Sequence, residues 1–130
     1  MNNCCCSNKK SLEMKIKKGE SIGFAFTLKR HGAPVDLTNA ALMMNVRENL
    51  EDDGIYLISK TITTQSDADE TGIISNPTEG QFYFKVNQGD IENMSATKPY
   101  FVAIYLIEGD IKTCISANDF QVGRFLVLNP

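Results

Sequence analysis

The chain has 130 residues, a length that suits one domain with a core large enough to fold without disulfide staples. Its net charge of −3 disfavours a nucleic-acid-binding surface, because such surfaces are usually basic. The longest apolar run, residues 100–107, is far shorter than the ~20 residues of a membrane-spanning helix. No apolar stretch of the signal-peptide type lies between the start of the chain and its first lysines, so we expect folding in the cytoplasm where the chain is made.

The first twelve residues combine a cysteine triplet with part of a basic cluster. Three adjacent cysteines do not have the spacing of zinc ligands, and no histidine nearby completes a ligand set. We interpret residues 1–12 as an N-terminal arm that is mobile or is ordered by a partner; cross-linking between chains and thiol modification are the alternatives. The candidate partner-binding residues of this arm are Cys4, Cys5, Cys6, Lys9 and Lys10.

From Glu13 onward, short segments of alternating apolar and polar residues are separated by Gly, Pro, Asn and Asp, which is typical of strands joined by turns. The predicted strands are 13–18, 22–28, 42–47, 55–64, 73–74, 82–86, 100–107, 111–117 and 120–128. Asp90 is predicted to cap a helical turn over residues 91–94, and Gly123 is predicted to form a bulge. Strand 100–107 is apolar on both faces, which indicates a central strand or one partly covered by a partner.

About eight or nine short strands without a βαβ rhythm predict one all-β antiparallel sandwich or barrel over residues 13–130. The single helical turn before Tyr100 resembles the corner at which an immunoglobulin-like sandwich moves between its sheets. In that corner a tyrosine hydroxyl bonds back to upstream backbone. Tyr100 is our candidate for this role.

The segment HGAPVDLTNA, residues 31–40, contains the chain's single histidine and allows two interpretations, an acid–base site or a strand connection. Pro34 interrupts the preceding strand, while the side chain of Asp36 suits a local turn. Leu37 is expected to point into the edge of the sandwich. We therefore interpret His31 as an exposed turn residue and the segment as a connection, with Pro34, Asp36 and Leu37 as structural markers.

No motif for nucleotide binding, metalloprotease chemistry or serine hydrolysis is present. The acidic loop 65–72 offers carboxylates, but it lacks the order of ligands in an EF-hand, so a solvated loop is the favoured interpretation. The sequence therefore predicts a protein that is not an enzyme. It predicts no cofactor, no metal site and no small-molecule substrate.

Four motifs follow one another along the chain: PVDLT at 34–38, GQFYF at 80–84, DIENM at 90–94 and YFVAIYL at 100–106. Their order resembles the small immunoglobulin-like domains of tailed-phage virions, such as the N-terminal domain of baseplate upper proteins and related head-fibre, tail-fibre or decoration modules. The resemblance spans roughly residues 13–128, although VGRF at 122–125 departs from the simpler repeat of the closing strand. The arm with the cysteine triplet has no counterpart in it.

This resemblance implies an immunoglobulin-like β-sandwich that serves as a non-enzymatic structural component of a tailed-phage virion. It implies assembly with other virion structural proteins, as a homo-oligomer or in multiple copies, after folding in the host cytoplasm. Nucleic acid and membrane partners are not expected. The alternative is a β-sandwich that binds carbohydrate or a host surface, for which exposed aromatic residues on loops are expected; the chain has no Trp.

Overall fold

The computed structural model of the chain describes residues 13–49, 56–115 and 123–129. Within these ranges the chain is all-β, as predicted, and the arm with its cysteine triplet and its two lysines lies outside them. A 3₁₀ turn spans Pro77–Glu79, and helix α1 spans Gln88–Ile91. The strands are β1 (Glu13–Lys17), β2 (Ile22–Thr27), β3 (Lys29–Arg30), β4 (Ala33–Pro34), β5 (Ala41–Arg47), β6 (Ile58–Ile62), β7 (Gly72–Asn76), β8 (Gln81–Val86), β9 (Tyr100–Glu108), β10 (Ile111–Cys114) and β11 (Gly123–Leu128).

The strands form two main sheets. The larger sheet has the order β1-β11-β9-β5-β6, with β10 beside the second half of β9, and the smaller sheet has the order β2-β8-β7. Every main-sheet pair is antiparallel except β1 with β11, which is parallel. These two strands are far apart in the chain, so no tight turn fixes their relative direction.

The two sheets face each other over one hydrophobic core. Alternate residues of each strand point inward, as the two-residue period of a strand requires. The rings of Phe24 in the smaller sheet and Phe125 in the larger sheet lie 6.5 Å apart between centroids, so the sheets are in direct contact. The largest fully buried side chains belong to Met14, Ile16, Leu37, Leu42, Met44, Val46, Ile62, Phe84, Ile91, Ile104, Leu106 and Phe125.

Two local predictions differ from the structure in the described residues. Gly123 pairs with Val102 in a register that continues without a shift through the next two pairs, so β11 has no bulge from Gly123 onward, and residue 122 lies outside the described residues. An irregularity that was not predicted lies in β7, between Ile73 and Asn76. A glycine within an alternating pattern forms a bulge only when its strand has one residue more than the partner strand at that point. A single sequence does not show which strand is the partner.

The helical turn also differs from its prediction. It starts at Gln88, three residues earlier than expected, and its N-cap residue is Asn87. Asp90 does cap this turn, but it does so from inside the first turn: its Oδ2 accepts a hydrogen bond from the Asn87 backbone N–H at 2.7 Å. This is the reciprocal half of a capping box.

None of the helical segments in the described ranges is long and apolar enough to cross a bilayer.

Candidate interaction surface

His31 lies in the two-residue turn between β3 and β4, and its side chain is exposed. His31 and Gly32 both have positive φ angles, of 56° and 80°. Positive φ at both central residues is the requirement of a type I′ hairpin turn, and histidine tolerates this backbone conformation better than bulky or β-branched residues do. The prediction of an exposed turn residue is confirmed, whereas the short β3–β4 hairpin was not predicted.

The rest of the segment is a connection fixed on both sides by backbone hydrogen bonds. Val35 N–H donates to the Leu28 carbonyl at 3.0 Å, and Leu37 N–H donates to the Pro77 carbonyl at 2.9 Å. Leu37 is fully buried and Val35 is 8% exposed, as predicted for residues that point into the sandwich edge. Pro34 is the last residue of β4, paired with Lys29.

Asp36 turns the chain by accepting two hydrogen bonds from Thr38. Its Oδ1 lies 3.0 Å from the Thr38 backbone nitrogen and 2.5 Å from the Thr38 hydroxyl. These two bonds stabilise the ionised carboxylate, so they lower the pKa of Asp36 below its ordinary value. The carboxylate therefore has a local structural role, as the sequence indicated.

Next to this connection is a shallow, open depression of about 330 Å³. Its lining is polar and includes two carboxylates, and no aromatic side chain contributes to it. In the described ranges, no group of three or more His, Cys, Asp or Glu residues is arranged to hold a metal ion. The lining residues are Asp36, Thr38, Asn39, Ala40, Glu108 and Gly109.

Tyr100 opens β9 and is 3% exposed. Its hydroxyl accepts a hydrogen bond from the Ser95 backbone N–H at 2.6 Å, five residues upstream. This is the contact that we expected from the sequence. The bond fixes the loop between α1 and β9 against the first residue of the central strand, so the ring can be buried with its polar atom satisfied.

Lys60 is a buried lysine in the middle of β6, with its side chain 10% exposed. Its Nζ lies 2.9 Å from Asp90 Oδ2 and donates to the Glu70 carbonyl at 2.8 Å. Asn87 also donates to the Asp69 carbonyl through Nδ2, at 3.1 Å. These bonds join β6, the acidic loop and α1, so the network serves structure: a buried ammonium needs a counter-charge and acceptors.

The outer face of the larger sheet, directed away from the smaller sheet, carries a band of apolar side chains across its two central strands. Residues on β9 and β5 that point away from the core alternate with the core residues; these outward residues are partly exposed except Ala103 and Asn45, which are each 3% exposed. Met43 lies opposite Tyr105, and Ala41 lies opposite Ile107 in the β5–β9 register. We call this band the outer-face patch, and it consists of Ala41, Met43, Phe101, Ala103, Tyr105 and Ile107.

The polar residues around the outer-face patch are arranged as a rim. Arg124 and Arg47 both lie opposite Phe101, and the Lys112 ammonium lies 4.9 Å from the centroid of the Tyr105 ring. Asn45, within the band, is 3% exposed, and its Oδ1 accepts a hydrogen bond from the Ser59 hydroxyl at 3.0 Å. An apolar centre with aromatic and Met side chains and an Arg-containing rim is the composition of protein–protein interfaces.

The sequence contained part of this signal. Strand 100–107 was recognised as apolar on both faces, but the partner strand that completes the band was not identified, because one sequence does not show which strands are neighbours. Comparison of the whole sequence with known proteins found no family model and no curated protein that matches it.

Proposed function

We propose that the two sheets form an immunoglobulin-like sandwich. That fold has seven main strands, which we count along the chain. In one sheet the second, fifth and fourth strands lie side by side in that order. In the other sheet the order is seventh, sixth, third, and variable-type domains add an extra strand beside the third. The smaller sheet, β2-β8-β7, and the run β11-β9-β5-β6 of the larger sheet have this order when the β3–β4 hairpin is counted as part of a connection and β10, which pairs with the second half of β9, is counted together with β11. The Tyr100–Ser95 bond occupies the position of the tyrosine corner, which supports the same proposal.

We further propose that the chain is a non-enzymatic structural component of a tailed-phage virion, either a baseplate or tail module or a head-fibre or decoration module. The motif resemblance supports the virion part of this proposal. The observation that carries the assembly part is the outer-face patch, since it presents the partly exposed rings of Phe101 and Tyr105 on the central strand β9, with Met43 opposite Tyr105. Desolvated aromatic and Met side chains supply much of the binding free energy in protein interfaces.

The test is incorporation of variants into particles. Met43→Glu places a charge in the centre of the patch, on a side chain that points away from the core. Gln81→Glu is the matched control, because it makes the same charge change on the outer, exposed side of β8 in the smaller sheet. Tagged variants are expressed in the cells that encode the chain, and gradient-purified particles are quantified by immunoblot.

We expect Met43→Glu to reduce the amount of the chain in particles by at least about tenfold, which corresponds to ~1.4 kcal/mol of lost binding free energy. Gln81→Glu is expected to leave it unchanged. Urea unfolding of both purified variants checks that Met43→Glu is still folded. A folded Met43→Glu variant that enters particles as efficiently as Gln81→Glu would refute the role of the patch.

A further inference from the structure

The outer edge of β2 is an open hydrogen-bonding edge. β2 is the end strand of the smaller sheet, and within the described ranges no strand pairs with its other side. Leu28 N–H, directly after β2, donates to the Gly80 carbonyl on the β8 side. Since neighbouring residues of a strand direct their backbone groups to opposite sides, alternate residues of β2 bond β8 and the others point outward. The outward set is Gly23, Ala25 and Thr27.

The opposite side of the smaller sheet supports this assignment. Lys85 N–H donates to the Thr71 carbonyl, so Lys85 directs its backbone groups towards β7. Its neighbour Phe84 must then direct its own groups towards β2, where its register partner is Phe24. Phe24 is therefore bonded to β8, and the two residues beside it face the open edge.

This edge lacks the features that usually block pairing between proteins. Residues 21–28, SIGFAFTL, contain no charge and no proline. By contrast, β1 alternates charged residues along its length, and β7 has a register shift and is followed by Pro77. Charged side chains, proline and bulges are the devices that protect exposed strand edges. β2 also leaves apolar area at the edge, because Ile22 is 36% exposed and Phe24 and Phe26 are only partly buried.

The edge is complementary to itself in one symmetric register. When two copies of a strand pair antiparallel about a two-fold axis, the residue on the axis lies opposite itself, and the core-facing side chains of both copies lie on the same face of the joined sheet. Placing Ala25 opposite Ala25 of a second copy gives such an arrangement. Phe24 then lies opposite Phe26 of the second copy on the core face. No charged side chain enters this contact, because Ile22–Thr27 is uncharged along its length.

We propose that the chain self-associates through β2, with two copies joined edge to edge into one continuous six-stranded sheet centred on Ala25. The occupant of the edge is a second copy, because the strand matches itself in backbone register and in apolar side chains, with no charge to oppose the contact. This site is separate from the outer-face patch, so the proposal and the proposed virion role can fail independently.

The first test is sedimentation equilibrium of the full chain, under reducing conditions so that cysteines do not cross-link. Ala25→Pro removes an outward N–H, a position at which an edge strand tolerates proline, and Ala25→Thr is the matched control that keeps the N–H. We expect the unmodified chain and Ala25→Thr to dimerise, and Ala25→Pro to raise the dimer Kd by at least about tenfold. A chain that is still monomeric at about 300 μM, or equal Kd values for the two variants, would overturn the proposal.

The second test needs no variant. Amide hydrogen exchange of the unmodified chain is followed by NMR at increasing protein concentration. We expect the amides of Gly23, Ala25 and Thr27 to become protected as the dimer forms, while the β8-bonded amides of Phe24 and Phe26 do not change. A dimer that leaves the three outward amides unprotected would place the interface elsewhere and would refute the proposal. Equal protection at all concentrations, in a chain that sediments as a monomer, would show that a segment of the same chain covers the edge, and would refute it too.

Discussion

Removal of either partner of the Lys60–Asp90 pair should destabilise the protein by clearly different amounts. The Lys60 side chain is 10% exposed and that of Asp90 is 27% exposed, with 2.9 Å between Nζ and Oδ2. When Asp90→Asn removes the negative charge, the ammonium stays buried beside neutral acceptors only, the Glu70 carbonyl and the Asn amide oxygen. When Lys60→Met removes the ammonium, water can reach the more exposed carboxylate, and the apolar Met chain fills most of the vacated volume.

The magnitudes follow from this asymmetry. Removing one partner of a fully buried pair costs about 3–5 kcal/mol, and the partial exposure of Asp90 reduces the expected cost of Asp90→Asn to roughly 2–3 kcal/mol. Asn retains an oxygen that can accept the Asn87 N–H, so loss of the cap contributes little to this value. Lys60→Met should cost no more than about 1 kcal/mol, since an apolar replacement of similar volume removes the cost of burying the charge.

Urea unfolding at neutral pH measures both variants against the unmodified chain. With an m value of about 1.5 kcal/mol/M, Asp90→Asn should lower the midpoint by about 1.3–2 M and Lys60→Met by less than about 0.7 M. Lys60→Ala serves as a control for lost packing, because it removes the charge and most of the side-chain volume together. If Lys60→Met costs as much as Asp90→Asn or more, then the ammonium is not the costly buried group and this reasoning is wrong.

Three further predictions concern other contacts. Tyr100→Phe removes the acceptor of the Ser95 N–H and should cost about 1–2 kcal/mol in urea unfolding; no measurable loss would contradict a structural role for the bond. Gly80→Ala should destabilise the protein by at least about 2 kcal/mol, because Gly80 has φ +70° and an added Cβ would lie 2.4 Å from the Leu28 carbonyl oxygen. Gly89→Ala in helix α1 is the control: its added Cβ meets nothing within 4 Å, so this variant should be neutral or stabilising. Because the folded-state pKa of Asp36 is lowered, its carboxylate stabilises the fold above the unfolded-state pKa, and this stabilisation is lost as pH falls through the folded-state pKa. Asp36→Asn should therefore remove this part of the acid-induced loss of stability. Identical pH profiles of unfolding for the variant and the unmodified chain would contradict this prediction.

The sequence predicted the features that depend on neighbouring residues along the chain. Two-residue alternation identified the buried faces of β5 and β8, because the strand period is fixed by backbone geometry. The role of Asp36 was also predictable, since an Asp two residues before a Thr can accept its N–H locally. The same is true of the burial of Leu37.

The features that depend on which strands are neighbours were not predictable. Lys60 lies between Ile58 and Ile62 on the inward face of β6. Nothing near Lys60 in the sequence shows that its Nζ lies 2.9 Å from Asp90 Oδ2. The apolar face of β2 was recognised, but its position at an open edge follows from β1 pairing with β11 instead of with β2. For the same reason, the outer-face patch requires the β5–β9 register, which a single sequence does not contain.

The measurement that tests the proposed function most directly is the copy number of the chain in purified virions. Particles from the cells that encode the chain are separated on a density gradient, and the chain is quantified by mass spectrometry with isotope-labelled peptides, relative to the most abundant particle protein. A virion structural component should follow the particles through the gradient at a constant ratio, and this ratio should correspond to a fixed number of copies per particle. If the chain stays in the soluble fractions, or if its ratio to the particle protein varies across the peak, then it is not a structural part of the virion.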